Sequence, residues 1–196
     1  MKLKHTSLAA FSVTVLVTVG VGTFVYIYAI PPLIYSGWAQ GLEKGLGEGP
    51  IPVNTLYTSP SLFGPNSTKV NRFVAGGDPG LLYSVGILDL SRGPLVLSVP
   101  NMGGRYYDIE LVDSRGDDFA YVGPRTTGGQ AGNFLISGPG WQGTVPAGVT
   151  QFKSPDNSVL LIGRVLVQNA SEVSVAYNLS EQMKLTSLSS WQPAVG

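Results

Sequence analysis

One long apolar run near the N-terminus constrains the fold of this chain more than any other feature. Residues 8–30 are a stretch of 23 without a charged side chain. As a helix the run would be about 34 Å long, enough for a hydrocarbon core of about 30 Å. A lone strand of the same residues would leave its backbone polar groups unsatisfied in lipid. The run therefore predicts one transmembrane helix, which Pro31-Pro32 would end.

A cleaved secretory signal is the alternative, because Lys2 and Lys4 precede the apolar run. Signals normally contain only about 7–15 apolar residues, followed by a small-residue cleavage site. This run is longer, and Tyr28-Ala29-Ile30 does not match such a site. We therefore expect residues 1–36 to be an uncleaved, single-pass anchor in the cell (inner) membrane. The two lysines predict a cytoplasmic N-terminus and a main domain that is periplasmic or extracellular.

Glycine and proline follow the apolar run at close intervals. Their spacing breaks helices and strands alike, so residues 37–52 are predicted to be a linker. Gly37, Gly41 and Gly45 recur at every fourth residue, which also fits a helix face for close packing. The additional prolines and glycines favour the linker. Residues 53–196 would then form one exported domain.

Beyond the linker, short apolar runs alternate with turn residues, a pattern typical of strands. No amphipathic helix of about ten residues separates these runs, which disfavours a parallel sheet with helical crossovers. The last run is apolar on both faces in its first half, as in a covered central strand. The pattern predicts an all-β fold, a jelly-roll-like antiparallel β-sandwich, with strands at 81–88, 94–100, 104–113, 119–122, 134–137, 149–153 and 159–168.

Two connecting segments can also be interpreted. Residues 101–104, Asn-Met-Gly-Gly, lie between two predicted strands and are typical of a hairpin loop. Near the C-terminus, Ser171 can cap a helix, and apolar residues then recur at helical spacing. We expect a short C-terminal helix over residues 172–185.

The composition excludes several kinds of chemistry. The chain has no cysteine, and its one histidine, His5, precedes the apolar run. Disulfides, thiolate nucleophiles, Cys/His zinc sites and histidine-based triads are therefore excluded from the exported domain. Twelve basic and twelve acidic residues give zero net charge, so no basic surface for nucleic acid is implied. We predict no cofactor.

Carboxylates are the remaining candidates for catalysis or metal binding. Asp108 and Glu110 lie two apart on one strand, with Cα atoms about 6.7 Å apart on one face. Such a pair could supply the acid and base of glycoside hydrolysis, or could simply be solvated. Asp113, Asp117 and Asp118 follow at a strand end, where oxygen ligands suit calcium. A polar turn in which Asp113 caps backbone amides is the simpler interpretation, and no metal is predicted.

Three arginines and one tryptophan are candidates for ligand binding: Arg105, Arg125, Trp141 and Arg164. Arg164 lies in the most apolar strand, where a guanidinium needs carboxylate or carbonyl partners. It either clamps an anionic ligand or pairs with Asp113 or Asp89 as a structural bridge. Arg125 lies in a polar, glycine-containing loop. Trp141 lies on a predicted loop, where its side chain could be exposed and contact a ligand. Other aromatic residues could line a carbohydrate or apolar site or fill the core: Tyr106, Tyr107, Tyr121 and Phe134.

Several motifs occur in order between residues 81 and 168: Tyr83-Ser84, Leu88-Asp89-Leu90-Ser91, Gly93-Pro94-Leu95-Val96-Leu97-Ser98-Val99-Pro100, Gly104-Arg105-Tyr106-Tyr107, Asp113, Gly123-Pro124-Arg125-Thr126-Thr127-Gly128, Leu135-Ile136-Ser137-Gly138-Pro139-Gly140-Trp141 and Ile162-Gly163-Arg164. In these motifs the chain resembles the bacterial family called domain of unknown function 1254 (DUF1254). The resemblance implies a jelly-roll-like sandwich and a companion, because relatives often carry the domain of unknown function 1214 (DUF1214) beside it. This chain ends soon after the first domain, so we expect the companion on a separate polypeptide.

The favoured hypothesis is a membrane-anchored, exported module of unknown biochemical function that binds or assembles with a partner. A second hypothesis is a carboxylate-based hydrolase that acts on carbohydrate or lipid of the cell envelope through Asp108 and Glu110. A third is a structural envelope protein that forms homo-oligomers. All three stay open at the level of the sequence.

Overall fold

The described residues, 2–45, 49–62 and 80–193, form helices and two packed β-sheets in a computed structural model of the chain. Three α-helices are present in this part of the chain: α1 (Lys2–Tyr28), α2 (Ile30–Glu43) and α3 (Val173–Ser180). A 3-10 turn at Ala170–Glu172 precedes α3. The strands are β1 (Tyr57–Thr58), β2 (Leu81–Asp89), β3 (Leu95–Val99), β4 (Tyr107–Val112), β5 (Asp118–Val122), β6 (Gly132–Ser137), β7 (Val149–Lys153), β8 (Ser158–Leu166) and β9 (Lys184–Ser187).

These strands form a five-stranded sheet, in the order β1-β2-β8-β4-β5, and a four-stranded sheet, in the order β7-β6-β3-β9. The predicted two-sheet β structure is thereby confirmed. The prediction of wholly antiparallel pairing is wrong, because β6 and β7 run parallel. Residues 138–148 connect this pair and are long enough to return the chain to the same end of the sheet.

The seven predicted strands coincide with β2 to β8, with ends that agree to within about three residues. The predicted hairpin at residues 101–104 is wrong, because this segment crosses from β3 in one sheet to β4 in the other. Met102 enters the core and is almost fully buried, which draws the connection across the sandwich. Gly103 and Gly104 adopt left-handed φ values of 62° and 78°, which allow the turn.

The core lies between the inner faces of the two sheets. Alternate residues of β4 and β8 point into it, as Ile109 and Leu161 do, and meet Leu97 and Ile136 from the four-stranded sheet. The predicted central position of the last apolar strand is confirmed, since β8 pairs with β2 on one side and β4 on the other. The other face of β8 is also apolar and belongs to a second buried cluster.

Helices α1 and α2 follow each other with only Ala29 between them. Pro31 and Pro32 occupy the first turn of α2 rather than ending the helix as predicted. Proline is tolerated in a first turn, because the backbone N–H that it lacks would have no partner there. The backbone N–H of Ala29 still donates to Val25 O at 2.9 Å, so the two helices are nearly continuous.

Helix α2 packs on the outer face of the five-stranded sheet. Tyr35 and Leu42 are buried there with Ile51, in the cluster that contains Ile162. The Tyr35 hydroxyl also forms a hydrogen bond of 2.8 Å with Ser158 Oγ. The prediction of an irregular linker is thus wrong for residues 37–43, which are helical because their apolar side chains find this surface. The division of the chain into domains stays a prediction.

The C-terminal helix is shorter than predicted. The structure has α3 only to Ser180, and residues 184–187 form β9 at the edge of β3. Backbone groups at the edge of β3 accept this strand, with Leu185 opposite Leu97. The cap is also different, because Asn169 Oδ1 accepts the bond from Ser171 N at 3.1 Å.

Ala10–Glu43 is the single helical stretch, within the part of the chain that the structure describes, that is long and apolar enough to cross a membrane. Its large apolar side chains, such as Phe11 and Leu16, are exposed over most of α1. Length and composition therefore agree with the predicted membrane anchor.

We expect Leu42→Ala to weaken the contact between α2 and the sheet. Leu42 is 2% exposed, so its truncation leaves a cavity and lowers the free energy of unfolding by about 3 kcal/mol. Guanidinium unfolding of the full chain in lipid nanodiscs, followed by tryptophan fluorescence, measures this loss. Leu33→Ala is the matched control, because Leu33 lies on the same helix and is 65% exposed. Equal unfolding midpoints for both variants would contradict the packing role of α2.

Candidate functional site

Charged side chains interrupt the apolar outer face of the five-stranded sheet where β4, β5 and β8 lie side by side. We call the group formed by Asp108, Glu110, Asp118, Tyr121 and Arg164 the charged cluster. Asp108 and Glu110 point outward because the residues that alternate with them on β4 enter the core. The strand register places Asp108 opposite Arg164 and Glu110 opposite Tyr121. The pairing of these strands therefore assembles the cluster.

Arg164 bridges the two candidate catalytic carboxylates. Its Nη1 lies 2.8 Å from Asp108 Oδ1, and its Nη2 lies 2.6 Å from Glu110 Oε2. The three side chains are only 23%, 22% and 14% exposed, respectively. The predicted pairing of Arg164 with Asp113 or Asp89 is wrong, because both of those carboxylates accept bonds from backbone amides of their own turns. Charge-assisted bonds of this length make the cluster a firm link between β4 and β8.

Tyr121 links two carboxylates on the far side of the cluster. Its hydroxyl lies 2.5 Å from Asp118 Oδ2 and 3.3 Å from Glu110 Oε1. The bond to Asp118 is the main cause that raises the pKa of Tyr121. Burial raises the pKa of Glu110, although its bond to Arg164 acts in the opposite direction. Three carboxylates thus share one guanidinium and one phenol, so the cluster holds more negative charge than Arg164 neutralises.

A cavity of about 340 Å³ opens beside the charged cluster, lined by Tyr106, Tyr107, Asp108, Tyr121, Val122, Gly123, Pro124, Arg125 and Thr126. Tyr106 and Tyr121 are 38% and 39% exposed, respectively. The guanidinium carbon of Arg125 lies 5.9 Å from the centroid of the Tyr106 ring, a cation–π distance. Within the described residues, no ion pair engages Arg125. The cavity therefore combines two exposed rings, a cation and the edge of an acidic cluster.

The loop after β5 holds Arg125 in place. Gly123 N donates to Thr127 Oγ1 at 3.1 Å, and Thr126 Oγ1 donates to Tyr121 O at 2.9 Å. A Cβ at Gly123 would lie 2.7 Å from Tyr107 O, so only glycine lets this loop approach β4. The loop therefore forms a wall of the cavity that is hydrogen-bonded to itself and to the end of β5.

The three aspartates considered for calcium do not converge. Asp113 Oδ1 accepts bonds from Arg115 N at 2.8 Å and Asp117 N at 3.0 Å, which confirms the predicted capping turn. Asp118 belongs to the charged cluster instead. Among the described residues, no group of three or more potential protein ligands could hold a metal ion. The absence of a cofactor stays a prediction.

Arg105 and Trp141 lie away from the charged cluster. Arg105 Nη1 donates to Leu166 O at 2.6 Å and contacts Glu172 Oε2 at 2.8 Å, which fastens the start of the C-terminal helical segment to β8. The bond from Arg105 lowers the pKa of Glu172. Trp141 lies in the connection between β6 and β7, on the other sheet, where its indole packs on Gly143. Both side chains have local structural contacts.

The structure thus brings together five of the candidates named from the sequence: Asp108, Glu110, Asp118, Arg125 and Arg164. Of the aromatic candidates, Tyr107 and Phe134 are buried in the core, and Tyr107 also borders the cavity, which Tyr106 and Tyr121 line with exposed side chains. The bond of Tyr121 to two carboxylates was not predicted. The alternation of residues along β5 indicates this bond only when the register with β4 is known.

The model of a family described as protein of unknown function (DUF1254) matches residues 53–187. The chain belongs to the DUF1254 family. The match includes every strand of both sheets and the whole charged cluster, and it confirms the resemblance seen in the sequence motifs. No curated protein matches this DUF1254 chain.

Solved structures that are similar to it include proteins from two bacteria. The VPA0106 protein from Vibrio parahaemolyticus is 27% identical, with a TM-score of 0.65 over 84% of this chain. This chain spans only 37% of that protein's length. An uncharacterised protein from Burkholderia cenocepacia is 13% identical, with a TM-score of 0.45 over 67% of this chain and 34% of its own. The Vibrio protein therefore contains the DUF1254 fold within a considerably longer polypeptide.

We expect Arg164→Met to destabilise the sandwich by about 2–3 kcal/mol, because it leaves two largely buried carboxylates without their cation. Denaturant unfolding measures this change. The triple variant Arg164→Met, Asp108→Asn, Glu110→Gln removes all three charges and should recover most of the loss. If the triple variant is as unstable as the single one, lost packing rather than uncompensated charge explains the effect.

We also expect Glu110 to make stability depend on pH. Because its pKa is raised in the folded state, the folded protein binds this proton more tightly than the unfolded chain does. The free energy of unfolding then falls as the pH rises above 4.5, the ordinary value for this carboxyl. Thermal unfolding across this range should show a weaker fall for Glu110→Gln. Glu181→Gln is the control, because it removes the same charge from an exposed site. In this variant the free energy of unfolding should change with pH as it does in the wild type.

Proposed function

We propose that this DUF1254 chain is a membrane-anchored module that binds a partner protein through the surface around its cavity. We call this surface the Tyr106 surface, and define it as Tyr106, Tyr121 and Arg125. The observation that carries the proposal is that two exposed tyrosines and Arg125 line the same cavity. Arg125 forms no ion pair within the described residues. Tyrosine and arginine are enriched among the residues that dominate binding energy at protein interfaces.

The charged cluster supports this surface from behind. Arg164 connects β8 to β4, and the Tyr121 hydroxyl connects β5 to the same carboxylates. Tyr121 therefore has its ring at the surface and its hydroxyl fixed. A surface already held in one geometry loses less conformational freedom on binding. The cluster thus favours a preformed binding surface.

The partner proposed is a protein that carries the companion domain DUF1214. The choice of DUF1214 rests on the family resemblance, and the similar Vibrio protein supports a companion of some kind, because most of its length lies outside the part that matches this chain. A DUF1254 fold can thus occur beside other protein structure. We propose that here the companion is supplied by a separate polypeptide.

The proposed location is the cell membrane, with the N-terminus in the cytoplasm and the sandwich on the opposite side. Lys2 and Lys4 support this orientation, because basic residues favour the cytoplasmic end of a transmembrane helix. The near-continuity of α1 and α2 supports a sandwich held directly beside the bilayer.

The geometry favours a structural role for Asp108 and Glu110 over hydrolysis. A glycosidase pair needs one carboxylic acid and one carboxylate that can both reach the substrate. Here one guanidinium contacts both groups and holds them in ion pairs. Glu110 has a raised pKa, but its carboxyl oxygens face Arg164 and Tyr121 rather than the cavity mouth.

We further propose that the sandwich is a variant of the jelly roll. In support, β2, β3 and β4 alternate between the two sheets, and β8 returns to lie between β2 and β4. Long returns of this kind are characteristic of Greek-key arrangements. The direct β4–β5 hairpin and the parallel β6–β7 pair are departures from that topology.

The test is purification of the tagged full chain from its own membranes in mild detergent, with quantitative mass spectrometry. We expect a DUF1214 protein in fixed ratio. Tyr106→Ala and Arg125→Ala should each lower its recovery about tenfold, as substitutions at dominant interface residues do. Arg92→Ala is the control, an exposed arginine on the connection between β2 and β3.

Three outcomes would contradict the proposal. Recovery of the chain alone as a monomer would remove the partner. Recovery of the chain as a homo-oligomer that Tyr106→Ala disrupts would favour the structural envelope hypothesis. Equal loss of the companion with Arg92→Ala would show that the Tyr106 surface is not its binding site.

A further inference from the structure

A second concave surface lies on the opposite side of the sandwich, on the outer face of the four-stranded sheet. It is a groove of about 640 Å³, within the range of about 300–1,000 Å³ that small organic ligands occupy. Three neighbouring strands and the segment after β9 line it, and the lining includes Ser98, Asn133, Lys184, Thr186, Trp191 and Gln192. None of these residues belongs to the Tyr106 surface or the charged cluster.

A row of polar side chains crosses this sheet at the groove. Asn133 on β6 pairs with Ser98 on β3, and Ser98 pairs with Lys184 on β9. The three point away from the core, because their neighbours Leu97 and Phe134 point into it. Adjacent strands lie about 4.8 Å apart, so the row spans about 10 Å. Polar groups therefore recur at regular intervals across the floor of the groove.

These side chains keep hydrogen-bonding capacity for a ligand. Ser98 Oγ donates to Asn133 Oδ1 at 2.7 Å, which orients the amide and directs its Nδ2 away from that bond. Within the described residues, Asn133 Nδ2 donates to no partner, and Thr186 and Gln192 make no side-chain hydrogen bond. Amides and hydroxyls both donate and accept, so the floor suits a ligand that does the same.

Trp191 supplies an aromatic wall. It follows β9 in a turn in which its backbone N–H donates to Ser187 O at 2.9 Å, and its side chain is partly exposed. The ring is thereby presented to the groove from a fixed backbone position. An indole offers a large, rigid apolar surface beside polar groups.

The charge of the lining narrows the class of ligand. Within the described residues, Lys184 is the one charged side chain in the groove, and no carboxylate lines it. One flexible lysine gives little for a phosphate-rich ligand, and a purely apolar ligand would leave the amides and hydroxyls unpaired. A neutral ligand with many hydroxyl or amide groups and a flat apolar face satisfies both the polar row and the indole.

We propose that this groove binds a saccharide chain, with Trp191 against the face of one sugar ring and the Asn133–Ser98–Lys184 row bonded to its hydroxyl or acetamido groups. Because the groove and the Tyr106 surface lie on different sheets, saccharide and protein partner can bind at the same time. The groove would then attach the anchored module to a carbohydrate of the envelope.

The test uses the full chain in lipid nanodiscs free of glycolipid, since maltoside detergents carry a saccharide themselves. The probes are chitotetraose and maltotetraose, with sodium sulfate as the anionic comparison. Titration is followed by tryptophan emission and by calorimetry.

We expect a saccharide to bind and shift the emission, and Trp191→Ala or Asn133→Ala to lower the affinity about tenfold. Trp141→Ala is the matched control, because Trp141 lies outside the groove lining.

The proposal is overturned if neither tetrasaccharide binds at millimolar concentration, or if Trp191→Ala binds as tightly as the wild type. Binding of sulfate in preference to both saccharides, lost with Lys184→Ala, would replace the saccharide with an anion. Trp191→Phe keeps an aromatic ring and should retain most of the affinity, which separates loss of stacking from loss of folding. Recovery of the DUF1214 partner is measured separately and is unaffected by either result.

Discussion

The central strands β2 and β8 are apolar on both faces, and the arrangement of the whole molecule follows from the need to cover both. The inner face is covered by the four-stranded sheet, across a core that includes Leu82 and Leu161. The outer face, with Val85 and Ile162, is covered by the second half of the N-terminal helical pair. Helix α2 is therefore a structural layer of the sandwich and not a tether. Without it, the sheet would expose a row of apolar side chains to water.

The same outer face changes character where α2 no longer covers it. There β4 and β8 carry Asp108, Glu110 and Arg164, which neighbour apolar positions on the same strands. A guanidinium with two carboxylates can remain partly buried because each group satisfies the others. This end of the sheet can therefore stay open to solvent without an additional helix, and the cavity lined by Tyr106 occupies the opening. One face thus provides both an attachment for the helix and an accessible surface.

Local patterns in the sequence predicted the strands well, and long-range pairing explains where prediction ended. Alternation and turn residues located β2 to β8, and apolar residues on both faces identified β8 as central. The segment 101–104 was predicted to be a hairpin, because glycine turns occur both in hairpins and in connections between sheets. Met102 was the one apolar residue in the segment that favoured a buried connection. Gly37 and Gly41 suggested a linker, because glycine disfavours a helix. They are helical in the structure because α2 packs on a sheet that is distant in the sequence. The carboxylate partners of Arg164 depend on register between β4 and β8, which a single sequence does not encode locally.

The packing of α2 also fixes the geometry of encounter with other molecules. Because α1 runs almost directly into α2 and α2 is bound to the sheet, Ala29 alone separates α1 from a helix that is packed on the sandwich. If α1 spans a membrane as proposed, this connection would hold the sandwich close to the bilayer. A partner confined to the same membrane would then search in two dimensions for a target at that level. The anchor would thereby limit the orientations in which other molecules meet the sandwich.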